Sequence, residues 1–110
     1  EVNATCVRVP SYVGHAESVY IELDNVIDLK SLKNVMFYNP AIKFSDLEYH
    51  TPIDSTGNDW VYVSRLRKDL HKDNAFNLWV VSDNLLKGAA LNSIQIAESL
   101  VKKNIVNTNE

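Results

Sequence analysis

The sequence has few of the residues that mark several common classes of protein. It contains one cysteine, Cys6, which cannot close a disulfide within the chain, so we expect a reducing, cytoplasmic environment. No apolar run reaches the roughly 20 residues that a membrane-spanning helix needs. The first residues also lack the basic and apolar regions of a signal peptide. A membrane-spanning or secreted protein is therefore not expected.

An excess of positive charge is also missing. The chain has 11 Lys and Arg against 14 Asp and Glu, which gives a formal net charge of −3. Binding to nucleic acid or to an anionic membrane depends on clustered cations, so neither partner is expected. The three histidines and Cys6 show no zinc or haem spacing, so no metal site is predicted.

The remaining composition is that of an ordinary globular domain. Hydrophobic residues make up 45% of the 110 residues, and there are only three Gly and three Pro. This length is typical of one domain and leaves no room for a two-domain cofactor enzyme. No repeat or linker is visible, so we predict one unit over residues 1–110 without an internal boundary.

Alternating apolar and polar residues predict the strands of a sheet. The first predicted strand runs over residues 5–9 and stops at Pro10, which cannot donate to a ladder. In the second, Val19, Ile21 and Leu23 share one face. Further strands are predicted at residues 42–44, 60–66 and 76–82, and an irregular connection is predicted at residues 49–59.

Helical spacing of apolar residues appears twice. Asp28 can cap a short helix that ends before Pro40, and Ser82 or Asp83 can cap a long final helix. Asn104 can stop the final helix, with a frayed tail over residues 106–110. These elements predict an α+β fold, with a mixed, mainly antiparallel sheet of about four or five strands, one short helix and one long C-terminal helix.

Arg8 and His15 are the residues best suited to chemistry. A guanidinium can clamp a carboxylate, and an imidazole exchanges protons near neutral pH. On one unbroken strand their odd separation would place them on opposite faces, so they share a site only if residues 10–14 fold back. From spacing alone, the favoured interpretation is a structural Arg at a sheet edge and a surface His.

Two further residues allow a structural and a functional interpretation. Cys6 could be a nucleophile with a pKa lowered by Arg8, but a small buried thiol is the favoured interpretation. Asn84 lies at the start of the final helix, where Asp83 is sufficient as a cap, so the Asn84 side chain is predicted to be available to a polar ligand. The mixed charges of residues 65–73 predict a solvated loop rather than a phosphate site.

Several segments in order resemble aspartate-semialdehyde dehydrogenase. They are CVRVP at residues 6–10, VGHAES at 13–18, TPID at 51–54 with Gly57, VYVSRLR at 61–67, and LWVVSDNLLKGAALN at 78–92 continuing to QIAE at 95–98. The resemblance covers about residues 4–101. It implies an enzyme that reduces β-aspartyl phosphate to aspartate β-semialdehyde with NADPH and releases phosphate, in lysine, threonine and methionine biosynthesis.

The resemblance also implies roles for three residues. His15 matches the family's general acid/base, Arg8 the residue that holds the substrate's α-carboxylate, and Asn84 the contact to the nicotinamide carboxamide. The catalytic cysteine of the family lies in an Asn-Cys-Ser-Thr type of motif that is absent here, so Cys6 is not assigned that role. The Gly-rich dinucleotide fingerprint is also absent.

The chain therefore looks like the C-terminal part of a homodimeric NADP-dependent enzyme and is expected to be inactive alone. It departs from the family pattern at Ser64, usually Gly, and at Leu86, commonly Arg. Neither position is catalytic in the family. The alternative to an enzyme fragment is a free-standing binding or dimerisation module in which Arg8 and His15 are structural.

Overall fold

The computed structural model describes residues 1–103 and residue 105. Its four strands are β1 (His15–Glu22), β2 (Ile42–Ser45), β3 (Val61–Lys68) and β4 (Ala75–Ser82). Its α-helices are α1 (Leu29–Phe37), α2 (Pro52–Ser55) and α3 (Leu91–Lys102). The α+β class is confirmed. The predicted helix stop at Asn104 and the predicted tail over residues 106–110 lie outside the described residues.

The strands form one sheet in the order β1-β4-β3-β2. The strand β4 is antiparallel to both neighbours, whereas β2 is parallel to β3. The sheet is therefore mixed and mainly antiparallel, as predicted. Full pairing of β1 with β4, from His15 opposite Ser82 to Glu22 opposite Ala75, fixes where β1 begins.

The predicted strand over residues 5–9 is wrong. These residues are exposed and have no regular structure, and the sheet begins only at His15. The alternation of Val7 and Val9 with Arg8 satisfies the sequence pattern of a strand. A strand also needs a neighbour for its backbone N–H and C=O groups, and no strand among the described residues pairs with this segment.

One face of the sheet carries the core and is covered by α1. Asp28 caps α1 as predicted, since its Oδ1 accepts a hydrogen bond from Ser31 N at 3.0 Å. The helix ends at Phe37, before the predicted stop at Pro40. Its buried Leu32 packs in a cluster with residues of β3 and β4, namely Val63, Leu66, Phe76 and Leu78.

The opposite face is covered by the connection between β2 and β3. The indole Nε1 of Trp79 donates to the His50 carbonyl at 2.9 Å, and the His50 ring lies 4.4 Å from the Tyr62 ring between centroids. Thr51 and Asp54 form a capping box. This box starts the one-turn helix α2 inside a segment that was predicted to be irregular.

The final helix begins in an unusual way. A π-helical segment, Leu86–Ala90, precedes α3, and Leu91 N donates to Leu86 O across five residues. The side chain of buried Lys87 donates to Gln95 and joins this segment to α3. α3 itself has no buried residue, so the predicted apolar stripe, including Ile94 and Val101, is exposed in this chain.

Candidate functional site

Three consecutive residues at the end of β4 hold two loops in place. Ser82 is the β-sheet partner of His15. The next residue, Asp83, is only 3% exposed, and its Oδ2 accepts a hydrogen bond from Gly57 N at 2.8 Å. Its Oδ1 caps the following helix by accepting from Leu85 N at 2.8 Å and Leu86 N at 3.1 Å. The cap predicted at Asp83 is confirmed.

These contacts favour the charged form of Asp83. The N–H of Gly57, together with those of Leu86 and Leu85, holds the pKa of the Asp83 carboxyl below its usual range, while burial opposes this shift. A carboxylate that accepts from three backbone N–H groups is well satisfied even though it is buried. Asp83 is therefore a structural anchor in this site.

Asn84 holds the second loop. Its Oδ1 accepts a hydrogen bond from the backbone N–H of Gly14 at 2.9 Å, across 70 positions of the sequence. The prediction that the whole Asn84 side chain is available to a ligand is therefore wrong for its oxygen. Because only the oxygen can accept from an N–H, the contact also fixes which way the carboxamide points.

Gly14 is held tightly at this contact. It is buried and has φ of +95°, a conformation that favours glycine. A Cβ at this position would lie 2.9 Å from Pro52 Cβ and 3.0 Å from Pro52 O. The Gly14 backbone thus fits between α2 on one side and Asn84 on the other.

His15 follows Gly14 directly and is the first residue of β1. Its side chain is exposed. The backbone of His15 is therefore fixed on both sides, by the ladder to Ser82 and by the hydrogen bond from Gly14 to Asn84. The structure thus brings together two of the three residues singled out in the sequence, His15 and Asn84.

Arg8 is not brought to the same place by any described contact. It is exposed in the segment before β1, and among residues 1–103 and 105 no hydrogen bond or ion pair connects it to His15 or Asn84. Cys6 is exposed as well, so the expectation of a buried thiol is wrong for this chain. The burial was inferred from a strand that does not form.

The charged turn between β3 and β4 is solvated, in agreement with the sequence. Lys68 pairs with Asp73 and Lys72 pairs with Glu22, each at 2.6 Å, and all four side chains are largely accessible. Exposed pairs of this kind contribute little to stability. They also engage Lys68 and Lys72, two of the cations that a phosphate group could otherwise use.

Sequence reasoning missed the two glycines and Pro52. Gly14 and Gly57 are the glycines with positive φ in the described chain, and each donates its N–H to one residue of the Asp83-Asn84 pair. The signal was present, because glycine is the residue that most readily adopts a positive φ and the sequence has only three glycines. Their partners lie 70 and 26 residues away and could not be identified from local patterns.

Two other kinds of feature are absent from the described part of the chain, residues 1–103 and 105. No group of three or more His, Cys, Asp or Glu there could hold a metal ion. No helix there is long and apolar enough to cross a membrane.

The fold and sequence together define the class of protein. The family model of the semialdehyde dehydrogenase dimerisation domain matches residues 1–87, which is most of the chain, and the chain belongs to this family. Among its relatives, the aspartate-semialdehyde dehydrogenase of Bacillus subtilis (strain 168) is 51% identical over 111 residues, covering 96% of this chain and 32% of that protein. That of Rickettsia bellii (strain RML369-C) is 47% identical, covering 93% and 31%.

Solved structures agree with the sequence comparison. The crystal structure of aspartate semialdehyde dehydrogenase II from Vibrio cholerae, complexed with ASA, superimposes with a TM-score of 0.81 at 42% identity. The superposition covers 89% of this chain and 30% of the Vibrio cholerae chain. The enzyme from Francisella tularensis gives a TM-score of 0.71 at 28% identity, covering 80% and 28%. The chain thus spans about a third of the length of its relatives.

Proposed function

We propose that this chain is the C-terminal catalytic and dimerisation part of an aspartate-semialdehyde dehydrogenase, without an internal domain boundary. The complete enzyme reduces β-aspartyl phosphate to aspartate β-semialdehyde and releases phosphate. The observation that carries the proposal is the superposition on the Vibrio cholerae enzyme in complex with ASA, with a TM-score of 0.81 at 42% identity.

His15 supplies the proton transfers in this proposal. Its exposed imidazole lies at the start of β1, where a substrate can reach it, and its backbone is fixed. It takes the proton of the nucleophilic thiol, which a different part of the enzyme provides. It later gives a proton to the oxygen of the thiohemiacetal. One imidazole can perform both steps, because taking the thiol proton gives the protonated ring that the second step needs, and donating that proton restores the neutral ring.

Arg8 binds the α-carboxylate of the amino-acid substrate. A guanidinium offers two parallel N–H donors that match a carboxylate, and Arg8 is exposed and forms no ion pair with any other described residue. Because Arg8 lies in a segment without regular structure, the proposal requires that residues 8–14 adopt their working geometry around the substrate.

The cofactor in this proposal is a nicotinamide nucleotide, more specifically NADP. It supplies the hydride when it is bound. Asn84 fits a contact to its carboxamide, since Gly14 occupies the Asn84 oxygen and leaves the amide nitrogen as a donor. Most other contacts to the cofactor are assigned to the parts of the enzyme outside this chain, because the Gly-rich phosphate-binding fingerprint is absent here.

A homodimer in the cytoplasm completes the proposal. The matching family model is that of a dimerisation domain. The chain also exposes large apolar side chains that a partner surface could cover, among them Tyr20 at 49% and Leu85 at 64% exposure.

The test is to express the complete gene that contains this sequence and to assay the reverse reaction. We expect phosphate-dependent reduction of NADP⁺ with aspartate β-semialdehyde, and no activity for residues 1–110 alone. A complete protein without this activity, or an active 110-residue chain, would contradict the proposal. The second outcome would show that the nucleophile lies within these residues.

A further inference from the structure

We propose that Asn84 is a positioning residue for His15, and that its carboxamide oxygen holds the loop from which the catalytic imidazole projects. The inference rests on the proposed function, because it concerns the acid/base step assigned to His15. It goes beyond a contact of Asn84 with the cofactor, because it assigns a separate task to each end of the same carboxamide.

Local structure does not account for the Asn84 contact. The helix that follows β4 is already capped by Asp83, which accepts from Leu85 N and Leu86 N. Asn84 is half-buried and directs its oxygen away from that helix to Gly14 N at 2.9 Å. The hydrogen bond therefore joins the end of β4 to the loop that precedes β1.

Gly14 transmits this contact to His15 because it has little freedom to move. Pro52 excludes even a Cβ on one side of Gly14, and Asn84 holds its N–H. The following residue, His15, is paired with Ser82. Ser82 and Asn84, two residues apart, thus hold the adjacent residues His15 and Gly14 at the start of β1.

The rigid anchor of this arrangement is Asp83. It lies between Ser82 and Asn84, is buried and binds Gly57 N. The backbone of Asn84 is therefore fixed before its side chain contacts Gly14. Positioning of this kind affects catalysis because a displacement of about 1 Å in a reacting group can lower the rate roughly 10²-fold.

The experiment uses the complete enzyme with Asn84→Ala and Asn84→Asp. Aspartate keeps an oxygen acceptor for Gly14 but lacks the amide donor, so the two substitutions separate the two tasks. We expect Asn84→Ala to lower kcat by about 10²-fold. Asn84→Asp should restore kcat to within about threefold of the wild type while raising the KM for the nicotinamide nucleotide. The exposed Asn34 on α1 offers a matched control, Asn34→Ala, with wild-type kinetics.

Hydrogen exchange at the Gly14 amide gives a readout that does not depend on activity. It should be slow in the wild type and in Asn84→Asp, and at least about tenfold faster in Asn84→Ala. Exchange at Gly57, whose N–H is held by Asp83, should be the same in all three proteins. This comparison detects the contact even if the complete enzyme catalyses a different reaction.

Either of two kinetic results would overturn the inference. Equal losses of kcat in Asn84→Ala and Asn84→Asp would show that the acceptor oxygen does not matter. An unchanged kcat in Asn84→Ala, with only the cofactor KM raised, would reduce Asn84 to a cofactor contact. Unchanged exchange at Gly14 in Asn84→Ala would overturn it independently. A wild-type enzyme without dehydrogenase activity would instead refute the proposed function.

Discussion

The carboxylate of Asp83 accepts a hydrogen bond from the backbone N–H of Gly57 at 2.8 Å, and this contact closes the loop that contains α2 onto the end of β4. Asp83 also caps the final helix. One buried side chain therefore holds both the loop after α2 and the start of the final helix. Its charge state should affect both.

The first prediction concerns stability at acid pH. Backbone N–H groups, first that of Gly57, lower the pKa of Asp83 in the folded chain. An unfolded aspartate has a pKa of about 3.9. The stabilisation is therefore fully present above about pH 4 and is lost as the pH falls through the lower, folded pKa. Urea unfolding between pH 3 and pH 7 measures this effect.

The matched variant for this prediction is Asp83→Asn, which keeps one acceptor oxygen and has no charge. We expect it to be less stable than the wild type at neutral pH, with a smaller loss of stability on acidification. Identical pH dependence in the two proteins would show that Asp83 does not contribute to the acid sensitivity.

The second prediction concerns His15 as the acid/base group. In the complete enzyme His15→Ala should lower kcat by roughly 10²-fold or more, because no other imidazole is placed at the start of β1. The control is His71→Ala, in the exposed turn before β4, which should keep wild-type turnover. Wild-type turnover in His15→Ala would remove the assigned role.

The third prediction concerns Arg8. Arg8→Ala should raise the KM for aspartate β-semialdehyde by about tenfold or more, since a hydrogen bond to a charged group contributes about 1.5–3 kcal/mol. Arg8→Lys should recover only part of the loss, because an ammonium lacks the two-pronged geometry. The control is Arg67→Ala, at an exposed position of β3. An unchanged KM in Arg8→Ala would contradict the proposed contact between Arg8 and the substrate's α-carboxylate.

The fourth prediction compares the two glycines with positive φ. Alanine at Gly57 meets no atom within 4 Å, so Gly57→Ala should cost only the strain of a left-handed residue, about 1–2 kcal/mol. Alanine at Gly14 adds a collision with Pro52. Gly14→Ala should therefore have the lower urea midpoint of the two. The opposite order would mean that the backbone near Pro52 yields easily.

Most of the fold could be predicted because it depends on local patterns. The strands β3 and β4 follow from runs of apolar and β-branched residues, and α1 follows from Asp28 and the apolar spacing after it. The failure at residues 5–9 has a physical cause. A strand is stable only if a neighbouring strand accepts its hydrogen bonds, and sequence alternation does not say whether one exists.

The site could be predicted only in part. The resemblance selected His15 and Asn84, and the structure joins their neighbourhoods through Gly14. The engagement of the Asn84 oxygen could not be predicted, because its partner lies 70 positions away. The roles of Arg8, His15 and Asn84 in catalysis stay predictions until the substitutions above are measured.

The strand order also determines when the parts of the site come together during folding. The strands β3 and β4 are joined by a short turn and can pair as soon as both are synthesised. Among the described strands β1 pairs with β4 alone, so it must wait until β4 and all the elements between them have left the ribosome. Asn84 follows β4 and emerges later still. His15, the predicted acid/base residue, is thus among the first residues of this chain to be made and among the last to be placed.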